Sequence, residues 1–78
     1  MQSENNVFND EIMRREFGRR LKTLLELRGM TQNELSEETG ISQVSISKYL
    51  NGKSDPSLLN VLKIARALDC SLDDLTYM

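Results

Sequence analysis

Residues 31–52, TQNELSEETGISQVSISKYLNG, contain the pattern that decides the fold. Thr31 followed three residues later by Glu34 is the spacing of a capping box, in which each side chain bonds the backbone N–H of the other residue. This pair predicts a helix over residues 32–39. Gly40 ends that helix, because glycine adopts a positive φ at little steric cost and so favours a sharp turn.

A second helix is predicted directly after the turn, over residues 43–50, with Ser42 as its N-cap. Its spacing divides the side chains into two sets. The predicted inward set is Ser45, Ile46, Tyr49 and Leu50, and the outward set is Gln43, Val44, Ser47 and Lys48. An α-helix fits the major groove of B-DNA, where short polar side chains near its start reach base edges. The pattern therefore predicts a helix-turn-helix that recognises DNA.

Three further helices are predicted in the rest of the chain. The first covers residues 10–28 and ends at Gly29, in the usual place for a glycine after a helix. The fourth covers residues 57–68, following Pro56, and the fifth covers residues 72–76. The predicted core-facing residues of the first and fourth helices are Met13, Phe17, Leu21, Leu24, Leu58, Val61, Leu62, Ile64, Ala65 and Leu68. No segment alternates like a strand, so the predicted fold class is all-α, a compact five-helix domain.

The chain divides into a short tail and one domain. Residues 1–9 lack hydrophobic periodicity and are expected to form a flexible N-terminal tail, while residues 10–78 form the folded domain. A chain of 78 residues supports one small core of modest stability. No apolar run approaches the roughly 18 residues that span a membrane, and the N-terminus lacks the pattern of a secretory signal. We expect a soluble, cytoplasmic protein.

The composition argues against an enzyme or a metalloprotein. The chain has no histidine and a single cysteine, Cys70. One cysteine forms no internal disulfide, which suits a reducing cytoplasm, and it offers no Cys/His cluster for a metal. Nucleophilic catalysis has no obvious agents, and Glu37 and Glu38 are adjacent, so on a helix they do not face each other. No catalytic residue, metal or cofactor is therefore predicted.

The net charge is unusual for a protein that binds DNA, since ten basic and twelve acidic residues give −2 and a pI near 5.0. A strongly basic balance is the usual sign of nucleic-acid binding. The charges are unevenly distributed, with basic residues in the first helix and acidic residues near the C-terminus. They are Arg14, Arg15, Arg19, Arg20, Lys22 and Arg28, against Asp69, Asp73 and Asp74. This asymmetry predicts a basic DNA-facing side with weak non-specific binding, so that specific contacts and dimerisation supply much of the affinity.

Four motifs together resemble the Cro/cI-type (XRE-like) helix-turn-helix family of phage repressors and small bacterial regulators. The motifs are RLK…RGMTQNELS, GISQVSISKYLNGK, PSLLNVLKIARAL and SLDDL, which follow one another in the expected order over about residues 17–75. The resemblance implies that the helix beginning near Gln43 enters the major groove. It also implies that Gln32, at the start of the preceding helix, contacts a phosphate.

The helix over residues 43–50 is called the recognition helix below, and three of its outward side chains have distinct expected roles. Gln43 is expected to read a base, because an amide can bond adenine N6 and N7 together. Val44 can pack on a thymine methyl, and Lys48 can reach guanine O6 and N7 or a phosphate. The alternatives are an ordinary solvated residue for Gln43 and a hydrophobic edge residue for Val44.

Four other residues complete the predicted DNA-binding set. Ser47 is expected to contact a phosphate or a base, whereas Ser45 has two open interpretations, a DNA contact or a bond to its own backbone. Asn51 and Lys53 follow the recognition helix and are expected to anchor phosphates, the alternative being turn chemistry and a solvated lysine. Arg19, Arg20 and Lys22 are secondary candidates for contacts with the DNA backbone. They belong to a run of charged residues on a helix, and such a run is usually only a solvated face.

Two positions depart from the family pattern. Many relatives carry an arginine and a glutamate, paired across the first and third helices, where this chain has Leu25 and Leu50. Replacing both members of a buried ion pair by apolar residues is often neutral or stabilising. The double change is therefore expected to preserve the packing of the two helices.

The expected function is transcriptional regulation, most simply by a repressor that binds a palindromic operator as a homodimer. One recognition helix covers about half a site, and relatives bind half-sites about one helical turn (~34 Å) apart. The C-terminal region is expected to supply the dimer contacts or else to close the core, through Leu72, Leu75, Tyr77 and Met78. The alternative is an antitoxin-type module that binds a toxin partner as well as DNA, with the N-terminal tail as its candidate docking segment.

Overall fold

Five α-helices form the fold of this protein in a computed structural model, which describes residues 9–76. The helices are α1 (Asp10–Arg28), α2 (Gln32–Thr39), α3 (Gln43–Leu50), α4 (Leu58–Ala67) and α5 (Leu72–Thr76). Residues 9–76 contain no strand, which confirms the all-α prediction. Ser57 and Leu68 cap α4 and lie just outside it, so that helix is one residue shorter at each end than predicted. Over the same range, no helix is both long and apolar enough to cross a membrane.

The helix-turn-helix begins with the capping box that the sequence predicts. Thr31 Oγ1 accepts a hydrogen bond from the backbone N–H of Glu34 at 3.0 Å, and the Glu34 carboxylate accepts one from the N–H of Thr31 at 2.9 Å. Ser42 caps α3 in the same way, since its hydroxyl accepts from the N–H of Ser45 at 3.1 Å. These side chains satisfy N–H groups that have no partner within the helix, and so fix where both helices start.

The domain begins one residue earlier than predicted. Asn9 is the N-cap of α1, because its side-chain carbonyl accepts from the N–H of Ile12 at 3.1 Å. This residue therefore belongs to the start of the helix and not to the tail. The rest of the predicted tail, residues 1–8, lies outside the described residues.

The core lies where the five helices meet. α1 packs on α3 and α5, α2 packs on α3 and α4, and α4 also packs on α5. Every helix contributes at least one fully buried side chain, and the C-cap of α4 adds another; these are Leu21, Leu35, Ile46, Ile64 and Leu75, with Leu68 as the cap. Because Leu75 is fully buried, it closes the core, which was one of its two expected roles, and it does not supply dimer contacts, which was the other. Leu72 is exposed, and the two other residues of that suggestion, Tyr77 and Met78, lie outside the described range.

Three residues predicted for the core lie at the surface instead. Met13 is exposed because it lies in the first turn of α1, one turn before the buried row that runs through Phe17, Leu21 and Leu25. Leu58 and Leu62 are exposed because the buried face of α4 follows its other apolar residues, at a different angle around the helix. The residues of that buried face are Val61, Ile64, Ala65 and Leu68.

α1 and α3 approach each other closely at Gly18, a residue to which the sequence assigned no role. A Cβ at this position would lie 2.6 Å from the carbonyl oxygen of Tyr49 and 2.7 Å from that of Leu50. Beside the contact, the rings of Phe17 and Tyr49 meet edge to face with their centroids 6.2 Å apart. Leu25 is buried and Leu50 packs half buried against the same core, as expected for two apolar residues in place of an ion pair.

Candidate nucleic-acid interface

The outward side of α3 carries three of the predicted DNA-contacting side chains on one exposed face. Gln43, Val44 and Lys48 are all exposed, and Val44 leaves 66% of its surface open to solvent. Ile46 and Tyr49 are buried on the opposite side of the helix. The core thus fixes the rotation of α3 about its axis, and this rotation points a mixed polar and apolar face outward.

Hydroxyl groups in the turn hold the angle between α2 and α3. Ser36 Oγ donates to the carbonyl of Ile41 at 2.6 Å. Thr39 Oγ1 accepts from the N–H of Ile41 at 3.1 Å and donates to the carbonyl of Leu35 at 2.8 Å. Gly40 lies between them in the left-handed region, with φ 77°. The sequence predicted the glycine turn but missed Thr39, whose signal is a hydroxyl next to the turn glycine, where it can bond two backbone groups.

The side chain of Gln43 is tied to the start of α2. Its Nε2 donates to Asn33 Oδ1 at 2.8 Å, and Gln32 Nε2 makes a long hydrogen bond of 3.4 Å to the backbone carbonyl of Gln43. Gln32, the phosphate contact that the family resemblance implies, therefore lies at the junction of the two helices. Asn33 was not among the predicted site residues, and no motif in the sequence marks it.

Two of the predicted contact residues also bond to α3 itself. The half-buried Ser45 accepts from the hydroxyl of the N-cap Ser42 at 3.0 Å. Asn51 Nδ2 donates to the carbonyl of Ser47 at 2.8 Å and so closes the last turn of α3. The Asn51 bond corresponds to the local alternative that the sequence left open for that residue, whereas the Ser45 bond joins two side chains and is not the expected bond of Ser45 to its own backbone. Ser47 is half buried, whereas Lys53 is exposed just after the helix.

The arginines of α1 are largely engaged in ion pairs within the chain. Arg19 and Arg20 both bond the carboxylate of Glu16, the latter through Nε at 2.9 Å. The hydrogen bond from Arg19 is the main reason that the pKa of Glu16 lies below its usual value. Arg15 pairs with Glu11 one turn earlier at 2.9 Å. Part of the positive charge expected on a DNA-facing side is thus balanced locally.

Two other basic residues of α1 connect distant parts of the fold. Arg14 bonds Asp55 in the loop before α4 at 3.1 Å. Arg28 Nε donates to the carbonyl of Leu68 at 2.6 Å, and its Nη2 donates to the carbonyl of Asp69 at 3.1 Å. Arg28 therefore caps the C-terminus of α4, where orphan carbonyls and the helix dipole favour a cation.

Comparison with known proteins finds the same fold and motif elsewhere. The sequence model described as Helix-turn-helix matches residues 21–75. The cryptic phage CTXphi transcriptional repressor RstR of Vibrio cholerae serotype O1 is 44% identical over 45 residues, which are 58% of this chain and 40% of that protein. Antitoxin HipB of Escherichia coli O6:H1 is 35% identical over 52 residues, which are 67% of this chain and 55% of that protein.

A solved structure supports the same relationship. The restriction-modification controller protein C.AhdI from Aeromonas hydrophila matches with a TM-score of 0.76 and 32% identity, over 80% of this chain and 94% of that one. The chain spans about half the length of the two curated relatives, whereas it matches nearly all of this structure. The family match runs from the middle of α1 through α5 and includes the whole predicted motif. The chain therefore belongs to the Cro/cI-type (XRE-like) helix-turn-helix family.

Proposed function

We propose that this protein is a cytoplasmic transcriptional regulator that binds double-stranded DNA by placing α3 in the major groove. The observation that carries the proposal is the exposed face that Gln43, Val44 and Lys48 form on α3. Internal hydrogen bonds in the turn before α3 fix the angle between α2 and α3. Rigid elements hold contact groups more accurately than loops do, and a helix of this size fits the groove.

Each side chain of this face suits a different feature of a base pair. The Gln43 amide matches the adjacent acceptor and donor of adenine, and the exposed Val44 suits the methyl group of thymine. Lys48 can reach guanine or a phosphate. Five further residues, on α2, on α3 and just after α3, are proposed to contact the backbone or base edges; they are Gln32, Ser45, Ser47, Asn51 and Lys53.

The electrostatics favour a dimer that reads a symmetric site. Glu11, Glu16 and Asp55 offset part of the positive charge of the α1 arginines, and the chain carries a net charge of −2, so its attraction to DNA without regard to sequence is expected to be weak. A monomer would therefore bind weakly, and two linked copies would gain affinity because the second contact becomes intramolecular. We propose that a homodimer acts as a repressor on a palindromic operator.

The surface that suits such a dimer lies on α4. Leu58 is 71% exposed, Leu59 61% and Leu62 42%, and the three project within about 100° of one another around the helix. Leucines on the surface of a small domain usually occur singly, whereas a contiguous group marks an interaction site. This surface, called the α4 leucine face below, has three exposed leucines, whereas Leu72 is the exposed leucine that the structure describes in the C-terminal region.

Removing the charge of Lys48 tests the DNA contact directly. We expect Lys48→Ala to bind a specific duplex about 5- to 20-fold more weakly at moderate salt, because one charge-assisted contact is lost. If that contact is to a phosphate, the slope of log affinity against log salt should also fall by about 0.9. Fluorescence anisotropy over a salt series measures both the affinity and the slope.

The matched control is Lys63→Ala, which removes an exposed lysine of α4 and should leave binding unchanged. Equal loss in both variants, or in neither, would contradict the proposed contact.

A second candidate function is an antitoxin-type module that binds a toxin partner as well as DNA. It is favoured by the similarity to HipB, which is named an antitoxin. The proposed docking segment is the N-terminal tail, of which residues 1–8 lie outside the described range. Purification of the full chain from its native cells distinguishes the two functions, since an antitoxin should retain a small basic protein.

A further inference from the structure

We propose that an apolar cavity at the start of α1 is the docking site of the chain's own N-terminal segment, with the ring of Phe8 filling it. The cavity encloses about 280 Å³ between the first two turns of α1, the segment that leads into α4 and the end of α5. Phe8 directly precedes the described residues 9–76, so its place is inferred from the residues around the cavity. This docking holds whether or not the chain binds DNA.

The surface of the cavity is mainly apolar, and the described residues leave part of it uncovered. Met13 is 42% exposed in the first turn of α1, while Phe17 and Val61 each keep 8% of their surface exposed. Pro56 and Leu75 complete the apolar lining. Side chains that face a void lose van der Waals contacts on that side, and burying apolar surface is favourable. An apolar group in the cavity is therefore stabilising.

The charged groups beside the cavity disfavour an anionic occupant. Of the described residues that line it, Asp10, Glu16 and Asp55 carry carboxylates and Arg14 carries a guanidinium. Arg14 already bonds Asp55 at 3.1 Å. A neutral apolar side chain places no charge beside these carboxylates, and it needs no hydrogen-bond partner of its own.

The start of α1 has the spacing of a hydrophobic staple, in which the residue before the N-cap packs against the fourth residue of the helix. Asn9 is the N-cap, and its side chain accepts from the N–H of Ile12 at 3.1 Å. Phe8 precedes this cap, and Met13, the fourth helical residue, lines the cavity. The backbone of Asn9 is extended, so the chain turns away from the helix axis there. The spacing therefore selects Phe8 as the occupant.

The residue after α5 is the other candidate within this chain. Thr76 lines the cavity, and Tyr77 follows it in the sequence. A buried tyrosine needs a hydrogen-bond partner for its hydroxyl, whereas a phenylalanine does not. No cap spacing relates Tyr77 to Met13, so the staple favours Phe8.

Docking of Phe8 would also support the segment that follows the recognition helix. Asp55 and Pro56 of this segment line the same cavity. Earlier in the segment, a Cβ at Gly52 would lie 3.2 Å from Cγ of Arg15, so this part of the chain already lies close against α1. Filling the cavity would join the N-terminal segment, the start of α1 and the segment that carries Lys53.

Thermal unfolding of the full chain tests whether Phe8 is part of the fold. We expect Phe8→Ala to lower the melting temperature by roughly 5–15 °C, because a buried aromatic side chain is lost from a small domain. Phe8→Leu should lose less than half as much, since leucine still fills the cavity with apolar atoms. Val7→Ala is the matched control on the same segment and should shift the melting temperature by less than about 3 °C.

A double-variant comparison tests the contact between Phe8 and Met13. The loss of melting temperature in Met13→Ala should fall by at least half when Phe8 is already alanine, because substitutions of residues in contact are not additive. Leu27→Ala is the matched control, since Leu27 is 70% exposed near the other end of α1. Its effect should simply add to that of Phe8→Ala.

NMR spectroscopy locates the ring directly. The chain has two phenylalanines, Phe8 and Phe17, so the ring signals that disappear in Phe8→Ala are those of Phe8. We expect nuclear Overhauser contacts from this ring to the methyl groups of Met13 and Leu75.

Several results would overturn the proposal. They are a Phe8→Ala protein that melts as the parent does, losses that add for Phe8 and Met13, or a Phe8 ring without contacts to the cavity. Ring contacts from Tyr77 that are lost in Tyr77→Ala would assign the cavity to the residue after α5 instead. Contacts that weaken on dilution would identify the segment of a second copy and would equally overturn docking within one chain.

Discussion

Replacing Gly18 by alanine is expected to lower the free energy of unfolding by about 2–4 kcal/mol. Gly18 lies in the interior of α1, where alanine normally stabilises a helix by about 1 kcal/mol relative to glycine. In this protein the added Cβ would lie 2.6 Å from the carbonyl oxygen of Tyr49 and 2.7 Å from that of Leu50. Because both oxygens belong to the backbone of α3, they can move away only if the two helices separate. The clash therefore outweighs the gain in helix propensity.

Thermal or urea unfolding monitored by circular dichroism measures this effect. For a domain of this size, the expected loss corresponds to a melting temperature lower by roughly 10–25 °C. The matched control is Gly29→Ala, where a Cβ meets no atom within 4 Å and only the positive φ of 63° is unfavourable, at about 1 kcal/mol. A Gly18→Ala protein as stable as the parent, or more stable, would mean that α1 and α3 do not approach each other as described.

The double substitution of Leu58 and Leu62 by glutamate is expected to convert a dimer into a monomer and to weaken operator binding by about 100-fold or more. Both side chains belong to the α4 leucine face and lie outside the buried core, with Leu58 71% and Leu62 42% exposed, so their replacement should not disturb the core. In a dimer, however, four carboxylates would be buried against apolar surface without partners, which strongly opposes association. Loss of the second copy removes the avidity that a domain of net charge −2 is expected to need.

Sedimentation velocity of the parent and the variant, followed by binding to the same duplex, tests this expectation. Leu27→Glu is the matched control, because Leu27 is 70% exposed on α1, outside the α4 leucine face. We expect the control to dimerise and to bind as the parent does. A double variant that still sediments as a dimer would place the interface elsewhere, and a parent that is monomeric on and off DNA would contradict the dimer itself.

Local signals in the sequence were sufficient to predict the five helices and the turn. Thr31 with Glu34, Gly40 and Ser42 form the predicted caps and turn because their effects depend on residues only a few positions away. The direction of each apolar side chain was harder to predict. Leu58 and Leu75 have the same chemistry, but one is exposed and the other is fully buried, because neighbouring helices cover only one of them.

The details of the candidate site depend on contacts between helices, which a single sequence does not reveal. Gln43 could be predicted as a site residue because it lies at the start of a helix. Its hydrogen bond to Asn33 could not be predicted, because it joins side chains of α3 and α2. Gly18 is similar, since its importance comes from backbone atoms about 30 residues further along the chain. The arginines of α1 formed a visible basic run, and only the structure shows that Glu16 is bonded to two of them.

Selection of bound sequences from a random double-stranded DNA pool tests the central claim, that α3 recognises specific base pairs, most directly. We expect the full chain to enrich a palindromic sequence whose half-sites are centred about one helical turn (~34 Å) apart. The affinity for this sequence should fall steeply as salt is raised, because phosphate contacts release counterions. A pool that shows no enrichment after repeated rounds, with binding that is equally weak for every duplex, would contradict the claim.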